Sequence, residues 1–148
     1  MKSGREVSPK DCAGYVLGLI FHGRETADAV TAVQRAVRTA HPDPSVTLAS
    51  VVDLSAVPRL LRAAARPILE QIYDQAAQQI PKGLDPADYV FLLPDWDGSV
   101  TRAFGVRNQD KMAAIVVIDR QGIVVGAYQG PEPGQAALAL VEQALARG

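Results

Sequence analysis

Tyr15-Val-Leu-Gly-Leu-Ile-Phe21 is an unbroken apolar run that stops just before His22 and Gly23. A strand of that composition has no face left for water, so it belongs inside a sheet covered on both sides, as parallel sheets are. From Thr26 the spacing turns helical, with Ala29, Val30, Val33, Ala36 and Val37 on one face. Thr26 is the expected N-cap, and Asp28 sits in the first turn, where a carboxylate meets the positive end of the helix dipole. His41-Pro-Asp-Pro44 ends this helix, and the β-branched stretch Val46 to Leu54 supplies a second buried strand. Strand, helix and strand in that order imply a right-handed crossover.

The longest helical pattern follows, a stripe from Val57 through Leu60, Leu61, Ala64, Ala65, Ile68, Leu69, Ile72, Tyr73, Ala76 and Ala77 to Ile80. Pro67 lies inside it and should kink it or divide it into two helices. Pro81 to Pro86 breaks the chain before a third strand, Tyr89 to Leu93, which is expected to stop at Pro94 and the turn Asp95-Trp-Asp-Gly98. A short helical piece spans Val100 to Phe104. Ile115 to Ile118 and Ile123 to Tyr128 are apolar runs joined by Asp119-Arg-Gln-Gly122, which predicts an antiparallel hairpin. A last helix runs from about Gly134 to Ala146. There is no internal repeat and no low-complexity tract.

With 148 residues, 48% of them hydrophobic, the chain suits one domain spanning 1–148. Residues 1–14 read as an N-terminal extension and 57–80 as a long amphipathic helical segment. Fifteen basic and sixteen acidic residues leave a net charge of -1, and neither sign is concentrated. Nucleic-acid and membrane-surface partners are therefore not expected. The opening MKSGREVSPKDC is polar, unlike a secretory signal, and Tyr15 to Phe21 is too short to span a bilayer, so a cytoplasmic location is expected. Cys12 is the one cysteine, which suits that compartment and forbids an intramolecular disulfide.

Three segments together carry a resemblance: Leu17-Gly-Leu-Ile-Phe21 running into the Thr26 helix, Asp97-Gly-Ser-Val-Thr-Arg-Ala-Phe-Gly-Val106, and Ile115-Val-Val-Ile-Asp-Arg-Gln-Gly122 with Gly130 after it. In this order they resemble the thioredoxin-like superfamily, as elaborated in peroxiredoxins and thiol-disulfide oxidoreductases, from about Tyr15 to the end. The resemblance implies an α/β fold, a three-layer α/β/α sandwich with a central mixed sheet and an extended helical segment after the second strand. It also implies where the chemistry of such proteins would lie. A Cys-x-x-Cys would fall near Thr26-Ala-Asp-Ala29 and a peroxidatic cysteine near Val30, and none of these positions holds sulfur. The cis-proline loop of the superfamily, which presses on the dithiol and pairs with bound peptide, would match Met112-Ala-Ala114, where there is no proline.

Several residues remain as candidates. Cys12 has Lys10 nearby and reads either as a sensor thiol or, lacking an identified electropositive pocket, as an inert one. His22, Arg24, Glu25, Thr26 and Asp28 cluster where a doubly covered sheet presents its working groups. There His22 is a candidate proton carrier, with Glu25 or Asp28 beside it, and Arg24 with the helix N-terminus could hold an anion. The alternative is a solvated polar loop. His22, Arg24, Thr26, Asp28, Met112 and Ala113 form the expected binding set. Arg59, Arg62 and Arg66 should line one side of the long helix and, with Trp96, form an expected interface, either for an acidic partner or merely for solubility. Asp95 and Asp97 lack the ligands that would complete a calcium loop, and His22 and His41 lack metal spacing, so no metal and no cofactor is expected.

With the fold signature present and the sulfur absent, the expected function is that of a redox-inactive binding, regulatory or self-associating module with a protein partner or a second copy of itself. The alternative is a single-cysteine peroxidase or reductase using Cys12. A third possibility is non-thiol catalysis at His22.

Overall fold

The structure, a computed structural model, describes residues 5–6, 14–23, 25–43, 45–78, 80, 82–83, 85–86 and 90–147. The strands are β1 (Arg5–Glu6), β2 (Val16–His22), β3 (Val46–Asp53), β4 (Val90–Asp95), β5 (Ala114–Ile118) and β6 (Val124–Gln129). The helices are α1 (Asp28–Ala40), α2 (Arg66–Ala77), α3 (Ser99–Ala103) and α4 (Pro133–Ala146), and a 3-10 segment, Arg59–Ala65, precedes α2. All six strands form one mixed sheet in the order β1-β4-β3-β2-β5-β6. β1, β4, β3 and β2 run parallel, and the β5–β6 hairpin joins antiparallel through the pairing of Phe21 with Ala114 and Leu17 with Ile118.

The run that opened the sequence is the centre of this sheet, and every residue from Val16 to His22 is buried. Its side chains alternate between two cores. Val16 and Ile20 join Val30 and Val33 of α1, Leu69 and Ile72 of α2, and Ala137 and Val141 of α4 on one face. Leu17, Leu19 and Phe21 pack on the other face against Val100, Phe104 and Val106, with the Phe21 and Phe104 rings 5.6 Å apart. This is the expected α/β/α sandwich, with one layer of three helices and a thin layer built around five-residue α3. The approach of α4 to α1 is close because Gly134 has no side chain: a β-carbon there would lie 2.9 Å from the Ala32 carbonyl oxygen.

Four details depart from the sequence reading. The segment expected as an extension contributes β1, which pairs with β4 at Phe91 and Leu92. Pro94 does not stop the third strand but lies within β4, opposite Val52 of β3. The helical stripe divides at Pro67 as expected, with Pro67 in the first turn of α2, but the part before it winds as a 3-10 segment rather than an α-helix. With three residues per turn rather than 3.6, that segment turns Leu60, Leu61 and Ala64 outward. The three arginines consequently do not share a side. Arg62 folds in, its guanidinium 5.0 Å from the centre of the Trp96 ring, while Arg59 and Arg66 are exposed.

Candidate functional site

β2 delivers the chain to the carboxyl end of the parallel strands, where α/β sheets hold their ligands. Thr26 organises the turn there, in a way its sequence position did not predict. It is not the N-cap, since α1 starts at Asp28 behind Ala27 and has no side-chain cap. Its hydroxyl instead accepts from the Gly23 N–H at 2.9 Å and donates to the Gln109 carbonyl. Gln109 is itself buried, and its amide donates to an Asp53 carboxylate oxygen at 3.0 Å. One chain of hydrogen bonds thus fastens the ends of β2 and β3 to the loop that enters β5.

That loop turns at Asn108, whose positive φ of 58° is a conformation that Asn tolerates, and its carbonyl accepts from the N–H groups of Lys111 and Met112. On the far side the Gln129 amide nitrogen donates to the carbonyls of Arg107, at 2.6 Å, and Met112, at 2.8 Å. Both main-chain hydrogen-bonding groups of Met112 are therefore engaged inside the protein.

Between this loop and the head of α1 lies an open groove of about 320 Å³. Glu25, Thr26 and Asp28 form one wall, Lys111, Met112 and Ala113 the other, and Pro131 closes one end. Its floor is apolar and its rim carries two carboxylates and one ammonium. With Glu25 and Asp28 against Lys111, the described lining is net negative, so the groove favours a cation or an apolar group over an anion.

His22 does not line this groove. It is fully buried, and its Nδ1–H donates to the Gly23 carbonyl oxygen at 2.9 Å, which leaves Nε2 as an acceptor without a partner among the described residues. Burial holds its pKa below the ordinary value of 6.5, against a smaller opposing pull from the Gly23 carbonyl and the Asp110 carboxylate. The ring is a neutral core group, packed on the face that carries the three long helices.

Comparison with solved structures decides the fold. Eighty-nine chains match. A secreted Mycobacterium tuberculosis disulfide oxidoreductase is 16% identical with a TM-score of 0.57, over 95% of this chain and 87% of that one. The exposed lipoprotein thioredoxin of Streptococcus pneumoniae is 18% identical with a TM-score of 0.62, over 90% and 88%. Xanthomonas campestris peroxiredoxin Q is 16% identical with a TM-score of 0.57, over 95% and 84%. The fold is thioredoxin-like. No protein-family model matches the chain, and no curated protein matches it in sequence.

Within the thioredoxin-like frame, the sequence-derived site residues separate into groups. Glu25, Thr26, Asp28, Met112 and Ala113 meet in one groove, although Thr26 and Gln109 are 83 positions apart. Cys12 and Arg24 lie outside the described residues. Arg59, Arg62, Arg66 and Trp96 do not line this groove; Arg62 stacks with Trp96, and Arg59 and Arg66 are exposed. Asp95 is structural: its two carboxylate oxygens accept from the Val100 and Thr101 N–H groups and the Thr101 hydroxyl, which fixes the start of α3. Asp97 accepts from the Ser99 N–H at 3.0 Å, and the Ser99 hydroxyl and N–H hold its carboxyl below the usual range. Gln109, Lys111 and Gln129 were not found from sequence. Gln109 acts from the loop before β5, and Gln129 reaches the same loop from the end of β6, through a loop conformation that no periodicity encodes.

Proposed function

We propose that this chain is a thioredoxin-fold binding module that holds a partner in the Thr26–Met112 groove without sulfur chemistry. The observation that carries this reading is the use made of the position where the resemblance would put a reactive thiol. Thr26 stands there with its hydroxyl committed on both sides, donating to the Gln109 carbonyl and accepting from Gly23, so it is a fastening of the fold. The loop opposite supports the same reading. Met112 has no free main-chain pair to offer an extended peptide, because Asn108 and Gln129 already occupy both groups. Recognition in such a groove falls to side chains, with Glu25, Asp28 and Lys111 setting charge and Met112, Ala113 and Pro131 supplying apolar contact.

Reduction of insulin disulfides and of hydroperoxide, each followed with the wild-type chain and with Cys12→Ser, tests the proposal. The reading expects neither protein to turn over above the uncatalysed rate. Turnover by the wild type that vanishes in Cys12→Ser would establish a single-cysteine enzyme instead.

A further inference from the structure

Leu60 and Leu61 are neighbours on the outside of the 3-10 segment, 95% and 56% exposed. The segment holds them there by its own geometry. Positions three apart align in a 3-10 helix, so Ala65 goes into the core and Arg62 goes under Trp96, while 60, 61, 63 and 64 face water. Exposed Arg59 and Arg66 stand at its two ends, and no acidic residue occurs from Ser55 to Leu69. The result is a convex apolar tip with a positive rim. Single exposed leucines are ordinary, but two together between cations on an otherwise charge-balanced chain form a ligand-shaped surface.

The groove has the opposite character. It is concave, its floor is apolar, and Glu25 and Asp28 form no ion pair among the described residues. Lys111 offsets one of the two carboxylates and leaves the rim net negative among the described residues. We propose that these surfaces are partners: the groove of one copy receives Leu60 and Leu61 of a second copy, with Arg59 and Arg66 meeting Glu25 and Asp28. This inference rests on the groove being a binding site, and it names the occupant. Tip and groove are different surfaces, so the contact is head-to-tail, and assembly continues past the dimer unless the rotation closes a ring.

The test uses sedimentation velocity on the full chain over roughly a hundredfold range of concentration, with variants that keep the fold because every altered side chain is exposed. The wild type is expected to grow in mass with concentration. L60S/L61S, which lacks the tip, and E25R/D28R, which lacks the acidic rim, are each expected to stay monomeric, with apparent affinity weakened by more than about tenfold. Mixed together, they are expected to form a one-to-one dimer and nothing larger, because one variant keeps an intact groove and the other an intact tip.

 In the mixture of L60S/L61S with E25R/D28R, the tip of the second enters the groove of the first, and no further site is left to extend the assembly. A wild type that stays monomeric at every concentration overturns the proposal, as does a wild type that associates while that mixture stays monomeric. Cosedimentation with phosphatidylserine vesicles that is lost in L60S/L61S would reassign the tip to a membrane and also overturn it. Titration of a short Lys-Leu-Leu-Lys peptide into L60S/L61S separates the two readings. If the peptide binds and E25R/D28R abolishes its binding while the wild type never associates, the second copy is wrong and the binding groove stands. If neither peptide nor second copy binds, both fail.

Discussion

Gly23 and Asp110 approach so closely that a β-carbon on Gly23 would fall 1.6 Å from an Asp110 carboxylate oxygen and 3.0 Å from the Asp110 Cα. The side chain could swing away, but the backbone contact means that the loop carrying Lys111 and Met112 must shift as well. Gly23→Ala is therefore expected to lower stability by about 1–3 kcal/mol, the range for overpacking. Asp110→Ala in the same chain should recover part of it. Urea denaturation of the three proteins checks this, and an unchanged midpoint for Gly23→Ala would mean that the loop does not rest on Gly23.

Thr26→Val removes the hydroxyl but keeps the branched shape. It leaves the Gly23 N–H and the Gln109 carbonyl without their partner, at a cost of about 1–3 kcal/mol, whereas Thr26→Ser keeps both bonds and should cost less than half as much. Equal unfolding midpoints for Val and Ser would remove Thr26 from its fastening role.

His22 makes stability depend on pH in a definite direction. Its folded pKa is lowered by burial, so below about 6.5 the unfolded chain binds a proton that the folded chain refuses. The contribution is complete above 6.5 and is lost as pH falls from there toward the folded value, with a slope of at most about 1.4 kcal/mol per pH unit. Denaturation between pH 5 and pH 8, roughly the window in which an imidazole titrates, should show this slope in the wild type and a flatter profile in His22→Leu. A His22→Leu profile as steep as the wild type's would assign the slope to other groups.

Much of this fold was legible because its central elements are encoded by composition and period. The apolar run ending at Phe21 could only be a strand buried on both faces, although Tyr15 at its head lies outside the strand and is exposed; Ala29 to Val37 had one helical face, and Asp119 to Gly122 joined two apolar runs into the observed hairpin. What escaped depends on partners distant in sequence. Arg5–Glu6 becomes a strand only because β4 offers it an edge, and Pro94 stays in β4 because Leu93 and Asp95 on either side of it pair with Val51 and Asp53 of β3. Leu60 and Leu61 matched a helical stripe, but the 3-10 winding before Pro67 turned them outward. The groove was half visible. Glu25, Thr26 and Asp28 were found because they follow the first strand, while Gln109 and Gln129 act through hydrogen bonds across loops that spacing does not record.

The central claim is that the site works without a reactive sulfur, and Cys12 is the one cysteine of the chain through which it can fail. The rate at which Cys12 is alkylated, measured against pH, tests it most directly. An ordinary thiol, half ionised near about 8.5, is the expected result. A rate already saturated at neutral pH would reveal an activated thiolate and contradict the account.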